Sequence, residues 1–223
     1  MNGSIIGHLV LKDWRLNRLL ILLTLAIGFV ALLLAQFGGQ ALVVGGVWFF
    51  IALCILGSML PTSTILNERK KQTLAFVMSL PVSSVQYIIA KMLSVWALFL
   101  VPWLTLLSLA LLLIVTRNVL PYGSVPMLLI LAILPLTGFC LISSIALVGE
   151  SEGWLIASTI LCNSSYWLGW YLLARVHSLA ANWNRPAAVW NAPAFIVLCS
   201  ELGSIVLVIA ITLFFQSRKR DFI

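Results

Sequence analysis

The stretch that decides how this chain folds is NERKKQTLAFVMSLPVSSVQYIIAK, residues 67–91. It is the longest polar interruption in an otherwise apolar sequence, and four charged residues, at 68–71, lie near its start. Apolar residues then follow at helical spacing: Leu74, Val77, Met78 and Leu80. Pro81 ends this pattern, because the residue before a proline is disfavoured in the helical region. We therefore predict a short helix over about residues 72–80, lying across the inner ends of two membrane spans.

The composition is that of a membrane protein. Of 223 residues, 62% are hydrophobic and 9% are charged, whereas a soluble domain has about 25% charged residues. Apolar runs of about 18 or more residues recur, each long enough to cross roughly 30 Å of hydrocarbon. The runs are continuous and do not alternate every second residue, which disfavours an all-β membrane protein. The sequence therefore predicts a single all-α membrane domain covering residues 1–223.

Six spans are predicted after an N-terminal surface helix. Residues 4–18 carry basic residues near one stripe and Trp14 elsewhere on the helix, which is typical of a helix lying on a membrane surface. The predicted spans cover about residues 19–36, 41–62, 86–116, 124–148, 154–173 and 194–216. Gly38 and Gly39 predict a tight turn between the first two spans.

The lysines and arginines predict the orientation of the bundle. With a cytoplasmic N-terminus, ten of the 13 basic residues lie on the inner side and three, Arg117, Arg175 and Arg185, lie outside. The positive-inside tendency favours this arrangement. An even number of spans then returns the C-terminus to the cytoplasm. Because the basic residues flank apolar runs, the net charge of +7 is interpreted as an orientation signal, and no nucleic-acid partner is expected.

Sequence motifs for catalysis are missing. None of the 14 glycines begins the G-x-x-x-x-G-K-S/T phosphate-binding pattern, so the chain is not expected to hydrolyse ATP by itself. The four cysteines fit neither a metal site nor a disulfide framework. We therefore predict no catalytic residue, no bound cofactor and no metal ligand in this chain.

Several acidic residues are candidates for function. Asp13 and Asp221 lie among predicted cytoplasmic basic residues and are expected to be their charge partners. Glu150 and Glu152 lie in a short turn that is either a second contact for a cytoplasmic partner or simply solvated. Glu201 lies about two turns inside the sixth predicted span, where an ionisable group is costly and therefore suggests a functional site.

The chain resembles the permease subunit of a type-2 ATP-binding cassette (ABC) exporter. Members of that family have an interfacial elbow helix, six spans and a coupling helix between the second and third spans. The positions that match the coupling pattern are Glu68, Thr73, Leu74, Val77, Met78, Leu80, Pro81, Ser83 and Lys91. The resemblance assigns the neighbouring Arg69 to the same ATPase-coupling site. Gln72 stands where the family usually has glycine.

The resemblance implies a division of labour between chains. Two copies of a cytoplasmic ATPase would bind ATP and Mg²⁺, and two permease halves, most simply a homodimer, would form the substrate path in a bacterial cytoplasmic membrane. Leu74, Val77 and Met78 would insert into a groove of the ATPase. The neighbouring basic residues would pair with that subunit or with anionic lipid.

The substrate is left open by the sequence. An apolar bundle with few polar residues favours a peptide, lipid-like or drug substrate. One alternative is a haem-exporter-type permease of cytochrome maturation. Another is a non-transporting membrane sensor or immunity protein.

Overall fold

The computed structural model describes residues 3–66, 84–117, 119–149, 151–183 and 185–218. In these ranges every regular element is a helix, which confirms the predicted all-α class for this part of the chain. The long helices are α1 (Gly3–Ala35), α2 (Gly39–Pro61), α3 (Ser84–Arg117), α4 (Val125–Val148), α5 (Glu152–Arg175) and α7 (Ala192–Arg218); α6 (His177–Ala180) is short. A π-helical turn, Thr62–Leu66, follows α2, and a 3₁₀ turn, Tyr122–Ser124, precedes α4.

Five of the long helices are long and apolar enough to cross a membrane: α1, α2, α3, α4 and α7. The exception is α5, which has 24 residues like α4 but carries Asn163, Ser164 and Ser165 followed by several aromatic residues. These side chains lower its mean hydropathy. It nevertheless runs beside α4, and Leu173 near its end packs with Ile130 and Ala194 near the starts of α4 and α7.

The N-terminal region differs from the prediction. The predicted elements 4–18 and 19–36 form one continuous helix, α1, of 33 residues. The reason is that its buried positions continue on one face, from Asp13 and Asn17 through Ile21 and Thr24 to Ala31. A helix of this length measures roughly 50 Å, longer than the roughly 30 Å hydrocarbon layer. A separate surface helix with its own boundary near Arg18 is therefore not seen.

The bundle has two ends, which we name after residues that lie there. At the Gly38 end, the chain turns from α1 into α2 through Gly38 and Gly39, whose φ angles of 69° and 52° are the left-handed values that glycine adopts readily. At the Lys91 end, the π-helical turn contacts α1, α2 and α4. The undescribed residues 67–83 connect this turn to α3 and contain the whole predicted coupling helix.

The core is centred on α4, which packs against α2, α5 and α7. Phe139 on α4 stacks on Phe99 of α3 with ring centroids 4.2 Å apart. The Trp103 indole Nε1 donates a hydrogen bond of 2.8 Å to the carbonyl oxygen of Ala132. In a hydrocarbon environment, where helix association depends on close packing and interhelical hydrogen bonds, these contacts hold α3 and α4 together.

Small residues bring α1 and α2 into close contact. A Cβ atom added at Gly45 would lie 2.5 Å from the carbonyl oxygen of Ala31 and 2.9 Å from the backbone nitrogen of Ala35. The neighbouring Gly46 has nothing within 4 Å of its Cβ position. Only glycine therefore fits at position 45, whereas position 46 has room for a side chain.

This difference supplies a matched pair of variants. We expect Gly45→Leu to force α1 and α2 apart and to destabilise the protein by about 1–3 kcal/mol or more, whereas Gly46→Leu should change stability by less than about 0.5 kcal/mol. Thermal unfolding of each purified variant in detergent measures the effect. Equal melting temperatures for the two variants would contradict the close α1–α2 contact.

Candidate functional site

A buried ion pair joins α1 to α3 at the Lys91 end. Lys91 Nζ lies 2.9 Å and 3.0 Å from the two carboxylate oxygens of Asp13. Ser94, one turn along α3, donates a third hydrogen bond of 2.8 Å to Asp13 Oδ2. Lys91 is 1% exposed, and Asp13 and Ser94 are both 0% exposed. The two opposite charges therefore satisfy one another inside the protein, out of contact with water.

The same cluster extends from α1 to the end of α2. Asn17 lies one turn after Asp13, and its Nδ2 donates a hydrogen bond of 2.9 Å to the Asp13 backbone carbonyl. Its Oδ1 accepts a hydrogen bond of 2.5 Å from Ser63 Oγ, in the π-helical turn. Asp13, Asn17, Ser63, Lys91 and Ser94 are called the latch below.

The π-helical turn is built from residues that suit an irregular helix end. Pro61 cannot donate a backbone hydrogen bond, and π turns occur as local interruptions at functional sites. The hydroxyls of Thr62 and Thr64 donate to the carbonyls of Ser58 and Leu60, at 2.9 Å and 2.6 Å. The carbonyl groups at the end of α2 thus have partners although the regular helix pattern stops.

The latch holds both attachment points of residues 67–83. Ser63 is four residues before that segment and Lys91 is eight residues after it, and both are bonded to the same two turns of α1. A displacement of either flank would separate buried charges or buried hydrogen-bonding groups. Removing one member of a buried ion pair costs about 3–5 kcal/mol, so α1, the π turn and α3 are expected to move together.

The structure describes few of the residues predicted for coupling. Those from Glu68 to Pro81, with Arg69, Thr73, Leu74, Val77, Met78 and Leu80 between them, lie outside the described residues, as does Glu150. Lys91 is described, and its side chain is directed into the bundle toward Asp13. Glu152 is exposed in the first turn of α5, where Ser151 caps the helix by accepting a 3.4 Å hydrogen bond from the Trp154 backbone nitrogen.

Glu201 lies inside the bundle and not at its surface. It is 8% exposed, and neither of its carboxyl oxygens has a hydrogen-bond partner among the described residues. It is far along the chain from the latch and belongs to a different helix, α7. No described group donates a hydrogen bond to its carboxyl oxygens, so Glu201 is not bonded to the Lys91 ammonium group, which is paired with Asp13.

Asp13 was expected to be a charge partner of the predicted cytoplasmic basic residues, and its pairing with Lys91, which is one of them, confirms this. The sequence did not single out Lys91, which is 78 residues away, whereas Arg15 and Arg18 on α1 are exposed. Asn17, Ser63 and Ser94 were not predicted at all. One sequence signal could have indicated them. Asp13 and Asn17, and likewise Lys91 and Ser94, are spaced so that each pair lies on one face of its helix. In both helices that face also carries the buried apolar residues.

An apolar groove opens at the Gly38 end between α2, α4 and α5. Its lining includes Phe49, Phe50, Leu131, Trp170 and Trp183. In the described ranges, no group of three or more His, Cys, Asp or Glu side chains could hold a metal ion. The groove can therefore offer apolar and aromatic contacts, and the latch offers a mechanical connection between helices.

The comparison with known families matches almost the whole chain. A family model described as ABC-2 family transporter protein matches residues 8–217. The chain belongs to the ABC-2 transporter family. No curated protein and no solved structure matches it significantly.

Membership of the ABC-2 transporter family accounts for the bundle of long apolar helices described above. An ABC-2 family protein is the multi-pass permease subunit of an ABC transporter, typically a non-catalytic membrane component that works with a separate ABC ATPase subunit. In this ABC-2 permease, the latch joins the two flanks of residues 67–83, which are the longest polar stretch between apolar helices.

The latch can be tested by removing one charge and then both. Lys91→Met should leave the Asp13 carboxylate buried without its cation and destabilise the permease by about 3–5 kcal/mol. The double variant Asp13→Asn with Lys91→Met should recover most of that loss, because no lone charge remains. Thermal unfolding of the purified proteins measures both effects. A double variant that is no more stable than Lys91→Met alone would argue against a buried pair.

Proposed function

We propose that this chain forms one half of the membrane pathway of an ABC exporter in a bacterial cytoplasmic membrane. Two copies of the chain assemble with two copies of a cytoplasmic ABC ATPase, which binds ATP and Mg²⁺. The permease itself binds no cofactor and catalyses no reaction. Family membership over residues 8–217 supports this proposal, and the latch supplies the mechanical connection that such a division of labour requires.

The Lys91 end is proposed to face the cytoplasm. Under the positive-inside tendency, the basic residues at 69–71 belong on that side. Residues 72–80 then form the coupling helix, and Leu74, Val77 and Met78 insert into a groove of the ATPase in the manner of a helix-in-groove contact. Arg69 pairs with acidic groups of the ATPase or with lipid headgroups.

Energy from the ATPase is proposed to reach the spans through the latch. A push on the coupling helix displaces its two flanks, the π-helical turn and the start of α3. Because Ser63 is bonded to Asn17, and Lys91 and Ser94 are bonded to Asp13, α1 moves with them. Glu150 and the exposed Glu152 supply a second, smaller contact for the ATPase at the same end of the bundle.

The proposed substrate is hydrophobic or amphipathic, such as a peptide, a lipid-like molecule or a drug. The groove lined by Phe49, Phe50, Trp170 and Trp183 supports this class, because binding sites for such molecules are mostly apolar with aromatic walls. Export, and not import, is proposed from the resemblance to type-2 exporters.

The coupling contact is tested by co-purification with the ATPase. Met78→Asp should place a charge in the apolar contact and reduce recovery of the ATPase at least tenfold, which corresponds to about 1.4 kcal/mol of binding free energy. The matched control is Ala187→Asp, which adds the same charge at an exposed position in the segment between α6 and α7. Equal recovery of the ATPase with both variants would show that Met78 is not in the contact.

The division of labour gives a second prediction. The purified permease alone should hydrolyse no ATP above a buffer blank, and the permease–ATPase complex should hydrolyse it, since the chain has no phosphate-binding loop. A phosphate-release assay on both samples measures this. Hydrolysis by the isolated permease, after any contaminating ATPase has been excluded by mass spectrometry, would contradict a non-catalytic role.

A further inference from the structure

Glu201 occupies a position in the membrane span where a charged group is energetically unfavourable. It is the tenth residue of α7, roughly 14 Å from the start of the helix and so near the middle of a span. It is the only acidic or basic residue from Ala192 to Gln216. Most large side chains of α7 are exposed, yet Glu201 is 8% exposed. Its carboxyl group therefore points into the bundle, whereas the other faces of α7 are largely exposed.

The buried face of α7 shows what encloses Glu201. The buried residues of this helix are Ala194, Glu201, Ile205 and Thr212, a spacing of seven, four and seven residues that forms one stripe. The principal helix packed against α7 is α4. The carboxyl group thus lies in the α4–α7 interface, and the buried residues on either side of it in the stripe, Ala194 and Ile205, are both apolar.

Neither carboxyl oxygen is satisfied there. Glu201 Oε1 and Oε2 have no hydrogen-bond partner among the described residues. The nearby hydroxyls are engaged elsewhere: Ser204 Oγ donates to the backbone carbonyl of Glu201, and Ser200 Oγ donates to the carbonyl of Val197. Local side chains therefore do not compensate a negative charge.

The helices packed near α7 also provide no counter-charge at the depth of Glu201 in the bundle. Their titratable groups are Cys140 on α4, Glu152, Cys162, Tyr166, Tyr171 and Arg175 on α5, His177 on α6, Tyr87, Lys91 and Arg117 on α3, and Cys199 and Arg218 on α7 itself. Arg175 is the exposed last residue of α5, and its guanidinium lies over the Tyr171 ring. Lys91 is bonded to Asp13. His177, Arg117 and Arg218 are terminal residues of their helices, whereas Glu201 is in mid-span, and Tyr87 lies in the first turn of α3.

We infer that Glu201 is a proton-binding site within the α4–α7 interface. While α7 is packed on α4, the carboxyl group carries a proton and is neutral. When the interface opens and water enters, the carboxyl O–H bond breaks, the proton passes to water, and the carboxylate is left hydrated. The physical reason is that a buried, unpaired carboxylate is far more costly than the neutral acid. This inference goes beyond the proposed transport function and does not depend on it.

Infrared spectroscopy of the full-length protein in lipid nanodiscs tests the inference directly. At neutral pH the wild type should show the carbonyl-stretch band of a protonated carboxylic acid, and Glu201→Gln should lack it. Glu152→Gln is the matched control: it makes the same change at an exposed glutamate, so this variant should keep the band. Glu201→Met, whose apolar side chain needs no partner, serves if the Gln variant does not fold.

The pH dependence of unfolding provides a second measurement. The folded protein holds a proton that the unfolded chain releases at neutral pH, so raising the pH should favour unfolding. Relative to Glu201→Met, the unfolding equilibrium constant of the wild type should rise by up to tenfold per pH unit. A wild type without the acid band, a band that persists in both Glu201 variants, or identical pH profiles for wild type and Glu201→Met would overturn the inference. None of these readouts involves ATP hydrolysis or transport, so failure here is distinguishable from failure of the proposed function.

Discussion

The ion pair between Asp13 and Lys91 is the constraint on which the arrangement of this bundle depends. Both charges are fully buried, so each is tolerable only while the other is within hydrogen-bond distance. The pair therefore ties the position of α1 to that of α3 in a way that apolar packing alone does not, because apolar side chains slide past one another at lower cost. Ser94, Asn17 and Ser63 extend the same requirement to the end of α2.

The packing of the remaining helices around this ion pair follows the physical rules for helix association in hydrocarbon. Burial from water does not drive helices together there, so contact depends on close backbone approach and on hydrogen bonds between helices. Gly45 provides close approach of α2 to Ala31 and Ala35, and Trp103 provides a hydrogen bond from α3 to α4. Glu201 is the exception, since its carboxyl oxygens have no such partner in the described structure. Asp13 and Glu201, the two buried acidic residues in the described part of the chain, thus differ: the first is paired with a lysine and the second has no hydrogen-bond partner there.

Much of the fold could be predicted from hydropathy because each long apolar run by itself predicts one helix. The observed limits of α2 to α5 and of α7 lie close to the predicted ones, and the resemblance indicated by the span count and the motif around Pro81 agrees with the family match. The boundary near Arg18 could not be predicted, because no glycine or proline marks it and helix α1 continues along one buried face. The fifth predicted span coincides with α5 and stays a prediction, since polar and aromatic residues make α5 less apolar than the five helices that are long and apolar enough to cross a membrane.

The sequence by itself determined the class of the protein, the approximate position of its helices and the location of its one long polar segment, because these properties depend on composition and local periodicity. Tertiary structure alone decided which polar residues meet. Asp13 has several cations near it in sequence, and only the packing of α1 against α3 selects Lys91. In the same way, periodicity placed Glu201 within a span, but only the packing of α7 on α4 decided that its carboxyl group lies in the interior without a partner. Pairings between distant residues depend on helix rotation and register, which local sequence does not specify.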